Sequence, residues 1–273
     1  MKNERKQFSV VTICRNEKNN IEKTLKSILN QNNLNYEYVI IDGDSTDGTQ
    51  NIIKNYLGLF EKKKVKVTFI SEKDKGIYDA MNKSLNFISG NWTIFINGGD
   101  VFFDKDTLDK VEGYISDEID VLYGDVVLFD NCHYKYLTAG DINEITYKNP
   151  ICHQSVFTKT EILKEYGFNT NYRIVADYDL FLRLYKNNSS FKRINIPVSI
   201  FDFTGFSSVN MVKCQKEMNI SLKENNIKSK YSSLWKIFVS WIVEKTRMLA
   251  IFCLKDNFYS EERKWFDNIE KIK

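Results

Sequence analysis

The chain of 273 residues has only two prolines, Pro150 and Pro197, and no Pro- or Ser-rich stretch divides it. A second independent domain is therefore not indicated. Its five cysteines, Cys14, Cys132, Cys152, Cys214 and Cys253, include no C-x-x-C pair and have mostly apolar neighbours. Reduced, buried thiols in a cytoplasmic protein fit that usage. A net charge of +3 is too mild to argue for nucleic acid. The run Lys62-Lys63-Lys64 reads as solvated loop charge, with an anionic membrane surface as the second reading. The apolar run near the N-terminus is too brief for a secretory signal and has no small-residue cleavage site after it. No glycine stands in Arg15-Asn16-Glu17, so the G-x-G-x-x-G fingerprint of a Rossmann oxidoreductase is absent there. The same gap argues against the Gly-rich phosphate loop of a nucleotidyltransferase.

Long apolar runs are also scarce. Leu234 to Leu254 approaches the ~20 residues that span a bilayer, but Lys236, Glu244, Lys245 and Arg247 interrupt it. Charges near a helix centre cost roughly 2.5–3.5 kcal/mol each, so spanning is not expected. Two readings remain: a helix packed on the domain, or an interfacial helix with Trp235 and Trp241 at headgroup level.

What is present is an α/β pattern. Hydrophobic residues make up 42% and aromatics 14%, a globular composition. Phe8 to Cys14, Tyr36 to Ile41, Val65 to Ser71 and Trp92 to Ile96 are short apolar, β-branched runs, read as buried strands. Between them lie helical stripes: Ile21, Leu25, Ile28 and Leu29, then Ile77, Met81, Leu85 and Ile88 with Gly90 as the stop. Asp47-Gly48-Thr49-Gln50 reads as a capped helix start. Alternation of this kind predicts a mostly parallel sheet flanked by helices. Further on, 120–123 and 125–129 read as strands with a hairpin near Asp130-Asn131. Thr158-Lys159-Thr160-Glu161 reads as a capping box for a helix ending at Gly167. A helix over 177–185 and a strand over 192–201 follow. Residues 210–273 read as a helical extension to a domain over 1–209.

Ligands of parallel sheets bind at the carboxyl ends of the strands. Those ends here carry Asn16/Glu17, Asp42/Asp44, Glu72/Asp74 and Asp100, a carboxylate at every one.

The segments SVVTICRNEKNNIEKTLKSIL and YVIIDGDSTDGT resemble the start of the family 2 glycosyltransferases of the GT-A fold. Glu72 to Lys83 is similar to that family's D-x-G-x-x-x-A-x-N segment. Phe95 to Asp100 stands where the family keeps its D-x-D region. Cys152-His153-Gln154 and Ala176-Asp177-Tyr178-Asp179-Leu180 resemble its H-Q and E-D-x-D-L motifs. The wording GIYDAMNK, NGGD and ADYDLFLRL is similar to transferases of capsule, O-antigen and exopolysaccharide assembly.

That resemblance implies an inverting transfer of a hexosyl or N-acetylhexosaminyl group from a nucleoside diphosphate sugar. Uridine diphosphate is the expected donor nucleotide, and the acceptor a saccharide or lipid-linked saccharide. Thr12, Asn16, Glu17, Asp42, Asp44, Asp74 and Gly76 are expected to line the nucleotide pocket. His153 is expected to touch diphosphate or metal, and Asp100 to ligate Mg²⁺ or Mn²⁺. Asp177 is implied as the base, with Asp179 as fallback. Two departures stand out: Asn97 and Gly98 supply no second carboxylate beside Asp100, and Ala176 replaces the family's glutamate. A non-catalytic nucleotide-sugar binding module therefore stays open beside the nucleotidyltransferase reading. A cytoplasmic location is expected, with peripheral contact at the inner membrane face through the extension. His133 reads as a bystander, and Phe206-Ser207-Ser208 as a loop closing over the donor.

Overall fold

A computed structural model describes residues 7–129, 134–202, 210–229 and 231–242. The readings placed on the 130–131 hairpin, on His133, on 206–208 and on residues beyond 242 lie outside the described residues.

The chain opens with β1 (Phe8–Cys14), α1 (Ile21–Leu29), β2 (Tyr36–Asp42), α2 (Thr49–Lys62), β3 (Val67–Ser71), α3 (Ile77–Ser84) and β4 (Trp92–Phe95). β1 pairs in parallel with β2 and β4, and β2 with β3. Every residue of β1 and β2 is buried. The reason is alternation: Val11 and Ile13 of β1 enter one core, Phe8, Val10 and Cys14 the other. The first core includes Met81 of α3; the second includes Leu25 of α1 and Phe60 of α2. A strand covered by helices on both faces needs apolar side chains on both, which is why its sequence reads as an unbroken run.

Beyond β4 come β5 (Val101–Phe102), α4 (Thr107–Glu112), β6 (Val121–Phe129), β7 (Tyr134–Leu137), β8 (Val156–Lys159), α5 (Thr160–Tyr166), α6 (Ala176–Lys186) and β9 (Phe191–Asp202). The sheet order is β3-β2-β1-β4-β8-β6-β9-β5, with β7 on β6. The expected strands 120–123 and 125–129 are one strand, β6, with a register irregularity near Asp125 where it pairs with β9. β8 was not read from sequence. It runs antiparallel between β4 and β6 and takes up Thr158, so the expected capping box does not form. α3 ends at Ser84, not at Gly90. Gly90 instead lies against β1, where a Cβ would come within 2.6 Å of the Phe8 carbonyl carbon.

The extension begins with α7 (Met211–Glu224), whose Met218 and Leu222 enter the core that holds α6. Glu217 on α7 accepts hydrogen bonds from the backbone N–H groups of Ile174 and Val175, at 2.9 and 3.2 Å. Those bonds satisfy donors at the start of α6 that no intrahelical carbonyl can reach. α7 thus fastens the helix that carries Asp177. A helix over 233–242 follows. Among the described residues no helix is long and apolar enough to cross a membrane.

Candidate active site

Strand order reverses between β1 and β4, because β2 and β3 lie to one side of β1 and β4 to the other. Loops from two neighbouring strands diverge there and open a crevice at the carboxyl ends. Residues 96–100 form one wall. Gly98 donates its N–H to the Ile13 carbonyl at 2.9 Å. A Cβ on Gly98 would lie 2.9 Å from the Cys14 Cβ and 3.0 Å from the Glu17 Cγ, so the loop packs closely only with glycine there. Thr24 of α1 ties down the rest: its hydroxyl donates to the Asp100 carbonyl at 2.7 Å and accepts the Gly99 N–H at 2.9 Å.

Asp100 is 9% exposed and receives a hydrogen bond from Gln154. Burial pushes its carboxyl up to about 7, only partly opposed by the charges of His153 and Lys23. A carboxylate so placed gains from a cation more than a solvated one does.

Across the crevice, Asp177 stands in the first turn of α6. Its Oδ2 lies 3.1 Å from Nδ1 of His153, and its Oδ1 lies 3.1 Å from the Tyr78 hydroxyl. Tyr78 also donates to the Ile174 carbonyl at 2.6 Å. Nε2 of His153 faces the Asn97 side-chain nitrogen at 3.3 Å. A continuous polar chain therefore runs Tyr78, Asp177, His153, Asn97, from α3 to the loop that carries Asp100. Burial alone would raise Asp177, but the hydrogen bond and charge of His153 outweigh it and hold the carboxyl below its ordinary range. Burial would lower His153, but the same partner outweighs it and the imidazole rises. Each partner thus favours the charged form of the other. Asn97 Oδ1 is buried with no hydrogen-bond partner.

Other expected residues fall into distinct places. Thr12 and Asp42 do not line the pocket, a correction to the sequence reading. Both are 0% exposed. The Thr12 hydroxyl donates to the Ile96 carbonyl at 2.6 Å and accepts from Tyr38. The Asp42 carboxylate accepts from the Ser45 N–H and hydroxyl, from Ser71 and from the Cys14 thiol, so its lone pairs are filled within the fold. Asn16, at φ 55°, is exposed, and its Oδ1 accepts the Thr46 N–H at 2.9 Å. Glu17 is half-buried and accepts from Asn20 at 3.1 Å. Asp44, at φ 57°, is half-buried and turns the chain after β2.

Asp74 sits at the end of β3, held by Lys83 at 2.6 Å. Lys83 also donates to the Lys73 carbonyl at 2.7 Å and reaches Glu72 at 3.0 Å. Asp79 lies 3.7 Å from Lys83 as an i,i+4 ion pair, and its carboxylate also accepts the Lys75 N–H at 2.9 Å. Gly76 has φ 146°, a conformation other residues adopt only with strain. Open space surrounds its Cα. Asp179, the fallback base, is 1% exposed and bound to Arg183, Ser221 and Asn225. It braces α6 to α7 and is out of reach of the crevice. Tyr78, Asn97, Gln154 and Lys83 had no site role in the sequence reading. A buried tyrosine next to a strand-end loop, as Tyr78 is, was the signal available.

A mostly parallel sheet flanked by helices, with Asp100 at its switch point and a half-buried aspartate-histidine pair nearby, has the architecture of the GT-A fold. The model of the glycosyl transferase family 2 matches residues 9–206, and the chain belongs to that family. It is 29% identical over 206 residues to a PGL/p-HBAD biosynthesis glycosyltransferase of Mycobacterium bovis, covering 74% of this chain and 79% of the relative. It is 34% identical over 110 residues to the putative teichuronic acid biosynthesis glycosyltransferase TuaG of Bacillus subtilis, covering 40% and 42%. Its fold is similar to that of S. aureus TarS 1-349 in complex with UDP-GlcNAc, with TM-score 0.61, 17% identity, and 97% and 80% of the two chains covered. It is also similar to the mannosyltransferase PcManGT of Pyrobaculum calidifontis in complex with GDP-Man and Mn²⁺, with TM-score 0.64, 14% identity, and 99% and 86% covered.

Proposed function

We propose that the chain is an inverting glycosyltransferase. It moves a sugar from a uridine diphosphate sugar to a saccharide or lipid-linked saccharide acceptor during surface polysaccharide assembly. The observation that carries this reading is the Asp177 carboxylate, ionised and held by His153 and Tyr78 at the mouth of the crevice. An acceptor hydroxyl is a poor nucleophile and needs a base within hydrogen-bond reach. Asp177 takes the hydroxyl proton as the oxygen attacks the anomeric carbon. The bond to the diphosphate breaks on the opposite face, which inverts the configuration. His153 stabilises the charge of Asp177 and fixes its orientation. Asp44 and Asp74 supply acceptors for base and ribose, and Gly76 leaves the backbone open on that side.

Asp100 would hold a divalent ion. Among the described residues no three His, Cys, Asp or Glu side chains gather as a full metal cage. Mg²⁺ or Mn²⁺ needs none where one carboxylate, water and substrate phosphate suffice. The unpartnered Asn97 Oδ1 and the raised Asp100 carboxyl both fit a cation there. Such an ion would neutralise the charge of the departing diphosphate. Residues 1–209 carry this chemistry, and 210–273 extend it toward the inner membrane face, where a lipid-linked acceptor resides. The test is transfer from UDP-sugars to saccharide acceptors, read by UDP release and product stereochemistry. UDP release that never depends on acceptor, with no glycoside formed, would leave the binding-module reading.

A further inference from the structure

The helix over 233–242 leaves Leu234, Trp235, Phe238, Val239, Trp241 and Ile242 exposed, from 38% to 82%. At 3.6 residues per turn these cover an arc of about 160°. Trp235, Phe238 and Trp241 form a ladder with ring centroids 6.0 and 6.4 Å apart. A patch of this kind marks an interaction site. Its described residues, 233–242, span about 15 Å, and among the described residues no helix is long and apolar enough to cross a bilayer.

Charge says what covers it. Lys213, Lys216 and Lys223 fall on one side of α7 with exposed Ile220, opposite Met218 and Leu222, which face the core. All three are exposed, and none makes an ion pair among the described residues. Of the acids of the same helix, half-buried Glu217 holds the backbone before α6, and exposed Glu224 accepts from the Tyr172 hydroxyl at 2.5 Å, which leaves the three lysines in excess on the outer face. The exposed face of α7 is therefore basic. On the next helix Lys236 is 7% exposed, and its Nζ has no hydrogen-bond partner. The helix itself carries no acid.

We infer that α7 and the helix over 233–242 together form a docking surface for an anionic lipid bilayer. The aromatic arc enters the headgroup boundary, and Lys213, Lys216 and Lys223 face lipid phosphates. This deepens the peripheral placement proposed above and rests on it. Neutral lipid, a second copy of the chain and residues 243–273 are the competing occupants.

The test is flotation of the full chain with phosphatidylcholine vesicles, with or without about 30% phosphatidylglycerol. Binding is expected only with the anionic lipid, together with a blue shift of tryptophan emission. Each lysine near an anionic surface contributes about fivefold to affinity. Lys213→Ala/Lys216→Ala/Lys223→Ala should therefore weaken binding at least tenfold and flatten its loss with salt. Trp235→Ser/Phe238→Ser/Trp241→Ser should abolish the blue shift. Both variants should keep wild-type UDP release with a water-soluble acceptor, which separates this surface from the catalytic reading. Equal binding to neutral vesicles, or none to either, would overturn the inference. So would dimers that the aromatic variant dissolves, or vesicle binding that appears only after residues 243–273 are removed.

Discussion

Asp100 offers a prediction whose sign and size come from its surroundings. Burial raises its carboxyl from 3.8 to about 7. The folded protein therefore holds this proton more tightly than the unfolded chain does. Stability from that protonation is complete below about pH 4 and is lost as pH rises through about 7. A shift of about three units corresponds to about 4 kcal/mol. Asn at the same place keeps the shape and an acceptor oxygen for Gln154 without the charge. Metal-free Asp100→Asn should thus melt higher than wild type at about pH 8, by roughly 10 °C at about 2–4 °C per kcal/mol. The gap should more than halve by about pH 5. Thermal unfolding in chelator across that range measures it. Adding Mn²⁺ with UDP should raise wild type and leave the variant nearly unmoved, since only ligands of the native state stabilise it. A gap that is absent at about pH 8, or equal at about pH 5 and 8, would refute the assignment of Asp100 as a buried, cation-seeking carboxylate.

Other outcomes follow from the same geometry. His153→Gln removes the partner of Asp177. The pair's stabilising effect is present above the lowered Asp177 value and below the raised His153 value. The loss in Tm should therefore peak between about pH 4 and 6.5 and shrink at both ends. Lys83→Met frees Asp74 and the residue 72–76 loop. Titration of nucleotide should show affinity falling roughly tenfold while kcat changes little, with Lys83→Arg recovering part of it; an unchanged Kd would remove Asp74 from the nucleotide site. Phe60→Ala, at a fully buried ring in the face covered by α2, should cost about 3–5 kcal/mol in denaturant unfolding. Gly76→Ala should weaken nucleotide binding through backbone strain alone, because open space surrounds that Cα.

The parallel half of the fold was legible because both faces of β1 and β2 are covered, which leaves a plain apolar run in sequence. β8 was not, because Val156 to Lys159 is only four residues long and gets its identity from β4 and β6 on either side. A short strand with distant partners carries little local signal. The site divided in the same way. Asp100, His153 and Asp177 were expected from family resemblance, and the structure brings His153 onto Asp177. Thr12 and Asp42 were misplaced because a polar residue at a strand end looks the same whether it faces ligand or fills a hydrogen-bond network. Tyr78 and Asn97 escaped notice because their partners lie 99 and 56 residues away.

The most direct test of the central claim is the rate of sugar transfer by Asp177→Asn, with nucleotide binding measured on the same preparation. A positioned base contributes about 10²–10⁴-fold. The variant should lose at least about a hundredfold in kcat while its affinity for UDP with Mn²⁺ stays within about twofold. Transfer at near wild-type rate would contradict the assignment of Asp177 as the base.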